Sequence, residues 1–292
     1  MPKGALTIRR QMKSITNTKK MTKAMEMVSA SKMRKSISAV SATRPYATHA
    51  WEMLTYLSGR VEKLHPLLAE REVKNAGFIL ISTNRGLCGG FNNALVQLLL
   101  GKIREEKHQG VEKCEIFTLG KRARDFVARY GHRIVADFPK NDITVSIQDI
   151  LPLMHLVSEQ YISGELDKVY VVTTEFVSTM RQKAVCKQLL PFTGPQAQEV
   201  DREATDFAQF LFEPSDKSVL EFIIPRIVEM QVFKAVLESE ASEHSARMMA
   251  MHNASEAATD MLFDLRLTYN QARQASITQE ISEISSGKAA LE

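Results

Sequence analysis

Met248-Met-Ala-Met251-His-Asn-Ala-Ser255-Glu-Ala-Ala258-Thr-Asp-Met-Leu262-Phe-Asp-Leu265-Arg-Leu-Thr-Tyr269-Asn-Gln-Ala272-Arg-Gln-Ala-Ser276 places apolar or small residues at alternating steps of three and four. That is the heptad spacing of a left-handed coiled coil. Ser255, Ala258, Ala272 and Ser276 let a partner helix approach closely, but they hold it less firmly than Leu, Ile or Val would. The stretch lies within residues 226–286, a run of 61 without Gly or Pro, which would span roughly 90 Å if fully helical. A globular helix has three or four turns on average, so this one needs a long partner.

The amino end supplies a candidate. Residues 5–44 contain no Gly or Pro and are rich in Ala, Met, Lys, Arg and Ile, all compatible with one continuous helix. Apolar side chains fall at Ile8, Met12 and Ile15, at Met21, Met25 and Val28, and at Met33, Ile37 and Val40. Each triplet is spaced four then three, and the phase slips between triplets, as expected of a narrow seam that winds around a partner. Charge favours pairing of the two ends. Residues 1–44 hold eleven Lys and Arg against Glu26 alone, whereas residues 226–292 hold six basic and ten acidic residues. An antiparallel pair within the chain is the expected arrangement; two long helices packed on separate surfaces of a bundle is the alternative.

Between the ends the pattern changes. The run from Gly77 to Ser82 reads as a strand, and residues 92–107 show helical periodicity around Leu95, Leu98, Leu99 and Ile103. Strand, helix, strand and helix follow at 114–119, 121–130, 132–138 and 147–161, with two further strands at 168–177 and 182–192 around a turn near Met180 and Arg181. The fold class expected is therefore α/β: a long antiparallel coiled coil of the terminal helices flanking an open, Rossmann-like α/β domain. The expected segments are 1–58 for the first helix, 75–195 for the α/β domain and 215–292 for the last helix. Residues 195–214 read as a polar, acidic connection, weakly helical at best.

The chemistry-bearing motifs are few. Arg85-Gly-Leu-Cys-Gly-Gly90 follows a strand and opens a helix, where an anion could sit. It lacks the Gly-Lys-Ser/Thr ending and the Gly-x-Gly-x-x-Gly spacing of nucleotide loops, so a structural turn is expected, with Gly89 and Gly90 allowing positive φ or close packing. The seven histidines show no metal-ligand spacing; His244 and His252 read as solvated or partner-facing. Cys88 sits near a helix start without an identifiable catalytic partner, and Cys88, Cys114 and Cys186 read as three buried thiols rather than a disulfide framework. No catalytic, metal or cofactor residue is expected.

The 292 residues, 44% hydrophobic and 25% charged, fit a folded chain with a sizeable core, and no run of 18 apolar residues could span a bilayer. The basic amino end suits nucleic acid, an anionic surface or an acidic protein partner, and charge alone does not choose. A nucleic-acid-binding coiled coil and an enzyme using the turn at Arg85 both stay open on these grounds.

Longer stretches from both ends and the middle narrow the choice. Ile8-Arg-Arg-Gln-Met-Lys-Ser-Ile-Thr-Asn-Thr-Lys-Lys-Met-Thr-Lys-Ala-Met-Glu-Met-Val28, with Ser31-Lys-Met-Arg-Lys35 beyond it, resembles the start of ATP synthase gamma subunits. Ser82-Thr-Asn-Arg-Gly-Leu-Cys-Gly-Gly-Phe-Asn92 resembles that family's first strand and turn. Ser242-Glu-His-Ser-Ala-Arg-Met-Met-Ala-Met251 and Tyr269-Asn-Gln-Ala-Arg-Gln-Ala-Ser-Ile-Thr-Gln-Glu-Ile-Ser-Glu-Ile284 resemble its closing helix.

The resemblance implies a non-catalytic rotor. Its terminal coiled coil would stand inside a ring of alpha and beta subunits, with the α/β domain against the epsilon subunit and the membrane c-ring. It implies that Met25, with Lys20 and Lys23 nearby, faces acidic loops of beta. Arg247 and the group Arg273, Gln274, Thr278 and Glu280 would engage the beta catch regions, and Phe212 and Glu213 would lie near the c-ring. Neither nucleic acid nor a small-molecule substrate is implied for this chain. The implied function is to couple proton flow and c-ring rotation to ATP synthesis or hydrolysis at beta, and to regulate ATPase activity and ion flow. Met-Pro-Lys-Gly does not resemble a transit peptide, and no chloroplast-type cysteine insertion appears, so the expected place is peripheral, on the cytoplasmic face of a bacterial inner membrane.

Overall fold

A computed structural model describes residues 3–58, 65–141, 146–192 and 215–289. The elements are α1 (Lys3–Ser58), β1 (Asn75–Ile81), α2 (Phe91–His108), β2 (Lys113–Leu119), α3 (Lys121–Arg129), β3 (Ile134–Phe138), α4 (Ile147–Ser163), β4 (Lys168–Phe176), β5 (Gln182–Leu190) and α5 (Asp216–Ala289). The chain forms two compact units, one of Met1–Ser31 with Arg247–Glu292, the other of Lys32–Ala246. Both long helices contribute to both units. The acidic connection expected at 195–214 lies outside the described residues.

Each long helix runs through a proline, Pro45 in α1 and Pro225 in α5, and so extends past the Gly- and Pro-free run. A proline inside a helix costs about 3 kcal/mol. Around Pro225, Leu220, Ile224, Ile227 and Val228 are all buried, and at roughly 1.5–3 kcal/mol apiece their burial outweighs that cost.

The larger unit is a sheet of order β3-β2-β1-β4-β5, parallel except for β5. Side chains alternate across it. Phe78 and Leu80 of β1 join Leu95, Leu99, Ile103, Ala123 and Val127 of α2 and α3 on one face. Ile79 and Ile81 join Ile150, Leu153 and Val157 of α4 and Ile227, Val228 and Val232 of α5 on the other. This period of two, with both faces covered, is why the central strands β1 and β4 read as apolar runs. The order reverses between β1 and β4, and the carboxyl ends of strands beside such a reversal form the crevice where α/β proteins bind ligands.

The smaller unit is a helix pair. Glu26 Oε1 lies 3.3 Å from His252 Nδ1. Glu26 is close to where α1 leaves the unit and His252 close to where α5 enters it, so the helices run antiparallel. On α5 the heptad positions turn inward: Met251, Ser255, Ala258, Leu262 and Ser276 are buried, and Met248, Leu265, Tyr269 and Ala272 half-buried.

On α1 the seam differs from the apolar triplets. Met21 and Val28 are 60% and 56% exposed, and Thr22 and Ser29 are buried in their place. The seam through Ile8, Met12, Ile15, Thr22 and Ser29 keeps heptad phase without a slip. Thr22 tolerates the position because its hydroxyl donates to the Lys19 carbonyl at 3.0 Å. One residue of shift turns a side chain by about 100°, which is enough to send the apolar neighbours outward.

Candidate functional site

The crevice at the strand ends is filled by the chain itself. After β1, Ser82 Oγ donates to the Gly120 carbonyl at 3.0 Å and accepts the Ala123 amide at 3.0 Å, while the Thr83 carbonyl accepts the Arg122 amide. The first amides of α3 are thereby used internally. Lys140, just past β3, reaches into α5 with Nζ 2.9 Å from Glu243 Oε2 and 3.4 Å from the Ser82 carbonyl. Ser242 and Ser245 of α5 donate to the carbonyls of Thr174 in β4 and Thr179 in the turn that follows it. Ser239, Ser242 and Ser245 are fully buried, so this helix seals the place where an enzyme of this architecture would open.

The Arg85–Gly90 turn is tied down by Asn92. Asn92 Oδ1 accepts the Thr83 amide, and its Nδ2 donates to Thr83 Oγ1 at 2.8 Å and to Cys88 Sγ at 3.4 Å. Gly89 has φ +59, as a tight turn requires; Gly90 has φ −81, and the second left-handed residue is Leu87 with φ +64. Cys88 is buried, but Cys114 and Cys186 are only half-buried. Two cavities of about 380 and 450 Å³ lie away from the crevice, one at the amino ends of β1 and β4 beside Glu106 and Lys168, the other along α4. Among the described residues no three His, Cys, Asp or Glu side chains are grouped to hold a metal.

The helix pair carries most of the residues singled out for partner contact. Lys20 is exposed. Lys23 is also exposed, with Nζ 3.0 Å from both oxygens of Glu26. The Lys23 ammonium, with His252 adding to it, holds the Glu26 carboxyl below the usual carboxylate range. Met25 is half-buried, and Arg247 is only 8% exposed. Arg273, Gln274, Thr278 and Glu280 are exposed, Glu280 Oε1 accepting from Ser276 Oγ at 3.3 Å. Arg273 lies 21 residues past His252, roughly 30 Å along the helix, so the predicted contacts fall into two separate groups. Phe212 and Glu213 lie outside the described residues.

Residues that periodicity did not single out share this surface. Met21, Met27 and Val28 face outward on α1. On α5 every side chain from Ile277 to Ser286 is exposed, Ile277, Ile281 and Ile284 at 48%, 62% and 74%. Steps of four and three align those isoleucines on one face. The signal was present in the sequence, since continuing the seam from Ser276 by the same steps meets Gln279 and Glu283, leaving the isoleucines off it.

A model of the ATP synthase family matches residues 5–291. Among solved structures the chain is similar to one from the rotor of the Euglena gracilis mitochondrial ATP synthase in rotational state 1. The identity is 19%, over 94% of this chain and 99% of that one, with TM-score 0.63. It is similar to a chain of the Euglena gracilis OSCP/F1/c-ring assembly in rotational state 3, at 19% identity, 99% and 94% coverage and TM-score 0.65. It is also similar to a chain of the central stalk and c-ring of the Tetrahymena thermophila mitochondrial ATP synthase, at 21% identity, 80% and 99% coverage and TM-score 0.59. At these identities the structures attest the fold.

Proposed function

The chain belongs to the ATP synthase gamma-subunit family, and from that premise we propose that it is the central rotor of a proton-translocating F-type ATP synthase. In this role it couples c-ring rotation to ATP synthesis or hydrolysis at the beta subunits and regulates ATPase activity and ion flow. It performs no nucleotide chemistry itself. Its partners are the alpha and beta subunits of the catalytic hexamer, the epsilon subunit and the c-ring. Lys20, Lys23 and Met25 meet acidic loops of beta, Arg247, Arg273, Gln274, Thr278 and Glu280 meet its catch regions, and Phe212 and Glu213 lie toward the c-ring.

The observation that carries this reading is the exposed end of α5. An apolar stripe of Ile277, Ile281 and Ile284 on a helix open to solvent is unfavourable in an isolated chain and favourable inside a surrounding partner. The filled crevice points the same way, because it leaves no room for substrate where this architecture places one. A contact shifts an equilibrium only through differential affinity, so an asymmetric shaft acts by fitting one beta conformation better than another. Its place is peripheral, on the cytoplasmic face of a bacterial inner membrane; among the described residues no helix is long and apolar enough to cross a membrane.

Reconstitution tests the proposal. ATPase activity is measured for alpha and beta subunits with and without this chain, and for the chain alone. A large increase on adding the chain is expected, with no turnover by the chain itself. Equal activity with and without it, or hydrolysis by the chain alone, sinks the assignment.

A further inference from the structure

Glu26 is the only acidic residue among the first 44, and it joins the two helices. Its Oε1 lies 3.3 Å from His252 Nδ1 on α5, while Lys23 Nζ reaches both of its oxygens at 3.0 Å. On the other side of the ring, His252 Nε2 lies 3.4 Å from Oε1 of Glu256, one turn further along α5. A single imidazole therefore stands between two carboxylates on different helices.

We infer that His252 is a proton-gated clasp of the helix pair, which when protonated holds Glu26 of α1 and Glu256 of α5 together and when neutral releases one of them. A neutral imidazole has one N–H and one lone pair, so it can donate to only one of two flanking carboxylates and turns a lone pair toward the other. The imidazolium donates from both nitrogens. Beside the buried Met251, the seam at this level is built from the small side chains of Thr22, Ser29, Ser255 and Ala258. A polar contact therefore adds to what holds the pair there.

The groups that face His252 set the window. From α1 they are Glu26 and, behind it, Lys23; from α5, Glu256. Lys23, and to a smaller degree His252, keeps the Glu26 carboxyl below its ordinary value, so Glu26 stays ionised where imidazoles titrate. The clasp needs a protonated ring and ionised carboxylates, so it is released when the ring gives up its proton and released again in acid strong enough to protonate the carboxylates. The inference concerns the chain's own helices and does not depend on the rotor reading.

Amide hydrogen exchange on the whole chain tests it, comparing wild type with His252→Gln and His252→Lys at about pH 6 and about pH 8. Comparison at one pH cancels the intrinsic rate. At about pH 6 the glutamine variant should exchange about two- to five-fold faster than wild type around residues 15–30 and 250–260, the scale of a partly exposed ion pair. At about pH 8 it should match wild type. The lysine variant keeps its charge and should be more protected than wild type at about pH 8 by a similar factor. Because His252 is 43% exposed, neither change threatens folding, and Glu26→Gln should reproduce the glutamine variant's pattern. A glutamine effect of equal size at both pH values, or none at either, overturns the clasp.

Discussion

Lys140 Nζ lies 2.9 Å from Glu243 Oε2, with the two side chains only 3% and 9% exposed. The first follows β3 and the second belongs to α5, so the pair ties that helix across the carboxyl ends of the strands. Lys140 also donates to the Ser82 carbonyl at 3.4 Å, bringing the β1 end into the same junction. The net value of such a pair over an apolar replacement is small, because desolvating two charges offsets most of their attraction. Losing one partner is a different matter.

Lys140→Met and Glu243→Gln should each lower stability by roughly 3–5 kcal/mol, since each removes one member of a buried ion pair and keeps the other member buried. The double variant Lys140→Met/Glu243→Leu should recover most of that loss, as both buried charges are gone. Urea unfolding of the three variants measures it. Losses that simply add in the double variant would mean that the two groups are not coupled.

Gly120→Ala should be far more damaging than Gly131→Ala, although both glycines have positive φ. A Cβ on Gly120, with φ +106, would meet the Ser82 carbonyl oxygen at 2.6 Å, backbone that the Ala123 and Lys140 contacts hold in place. A Cβ on Gly131, with φ +73, meets nothing within 4 Å. Backbone strain alone costs of order 1–2 kcal/mol, and the clash should bring Gly120→Ala to about 3 kcal/mol or more. Thermal unfolding of the two variants ranks them, and equal losses would refute the clash.

The sheet and its helices were legible because β1 and β4 are apolar runs and turn residues separate the elements, so β1 to β5 and α2 to α4 fall within a few residues of their expected ends. The α5 seam was legible through its heptad spacing. On α1, spacing favoured Met21 and Val28 over Thr22 and Ser29, because periodicity weighs hydrophobicity while the register of the pair turns Met21 and Val28 outward. The seal over the crevice was invisible for a related reason. Ser242 and Ser245 resemble a solvated helix face, and only the carbonyls of Thr174 and Thr179, a long way off in sequence, give their hydroxyls a reason to be buried. The Glu26–His252 contact depends on helix register, which composition does not encode.

Tyr170→Phe should cost about 1–3 kcal/mol through Glu106 rather than through lost packing. The Tyr170 hydroxyl donates to Glu106 Oε1 at 2.5 Å, and Lys102 Nζ lies 3.1 Å from the same oxygen. Glu106 is 2% exposed, so removing the phenol leaves a buried carboxylate with fewer donors. Burial first, and the hydrogen bond to Glu106 second, push the phenol far above its ordinary value, so it remains a donor at any working pH. Glu106→Gln, which still accepts from the phenol, should cost less than Tyr170→Phe in a thermal melt; the reverse order would show that the contact is not what matters.

Cys186 should be slow toward thiol reagents. Burial pushes its thiol up to about 11 from 9.0, with Lys102 opposing and Glu106 and Glu105 adding to the rise. Two units lower the thiolate fraction near neutral pH about a hundredfold against an ordinary cysteine. The folded value exceeds the unfolded one, so above about pH 9 the unfolded chain loses this proton first, and the associated stability declines as pH climbs from there toward about 11. A chain carrying Cys88→Ser and Cys114→Ser isolates the group, and reaction with an aromatic disulfide across pH gives its profile. Free-cysteine rates at about pH 8 would contradict the burial argument.

The exposed isoleucines should matter to partners and not to the chain. Ile281 and Ile284 touch solvent over most of their surface, so Ile281→Ala/Ile284→Ala removes little that the folded chain uses, and its own stability should change by no more than about 0.5 kcal/mol. If alpha and beta subunits surround this end of α5, the same atoms leave water on assembly. At about 25 cal/mol per Å², losing both side chains should weaken assembly by about 2 kcal/mol, roughly thirtyfold. Titrating the variant into alpha and beta subunits, with ATPase as the readout, should shift the half-maximal concentration upward by about that factor. Activity at saturating chain separates grip from drive: full recovery means the isoleucines only hold the shaft, and a persistent deficit means they also transmit its rotation. An unshifted titration would show that the end of α5 is not enclosed, removing the observation on which the rotor reading rests.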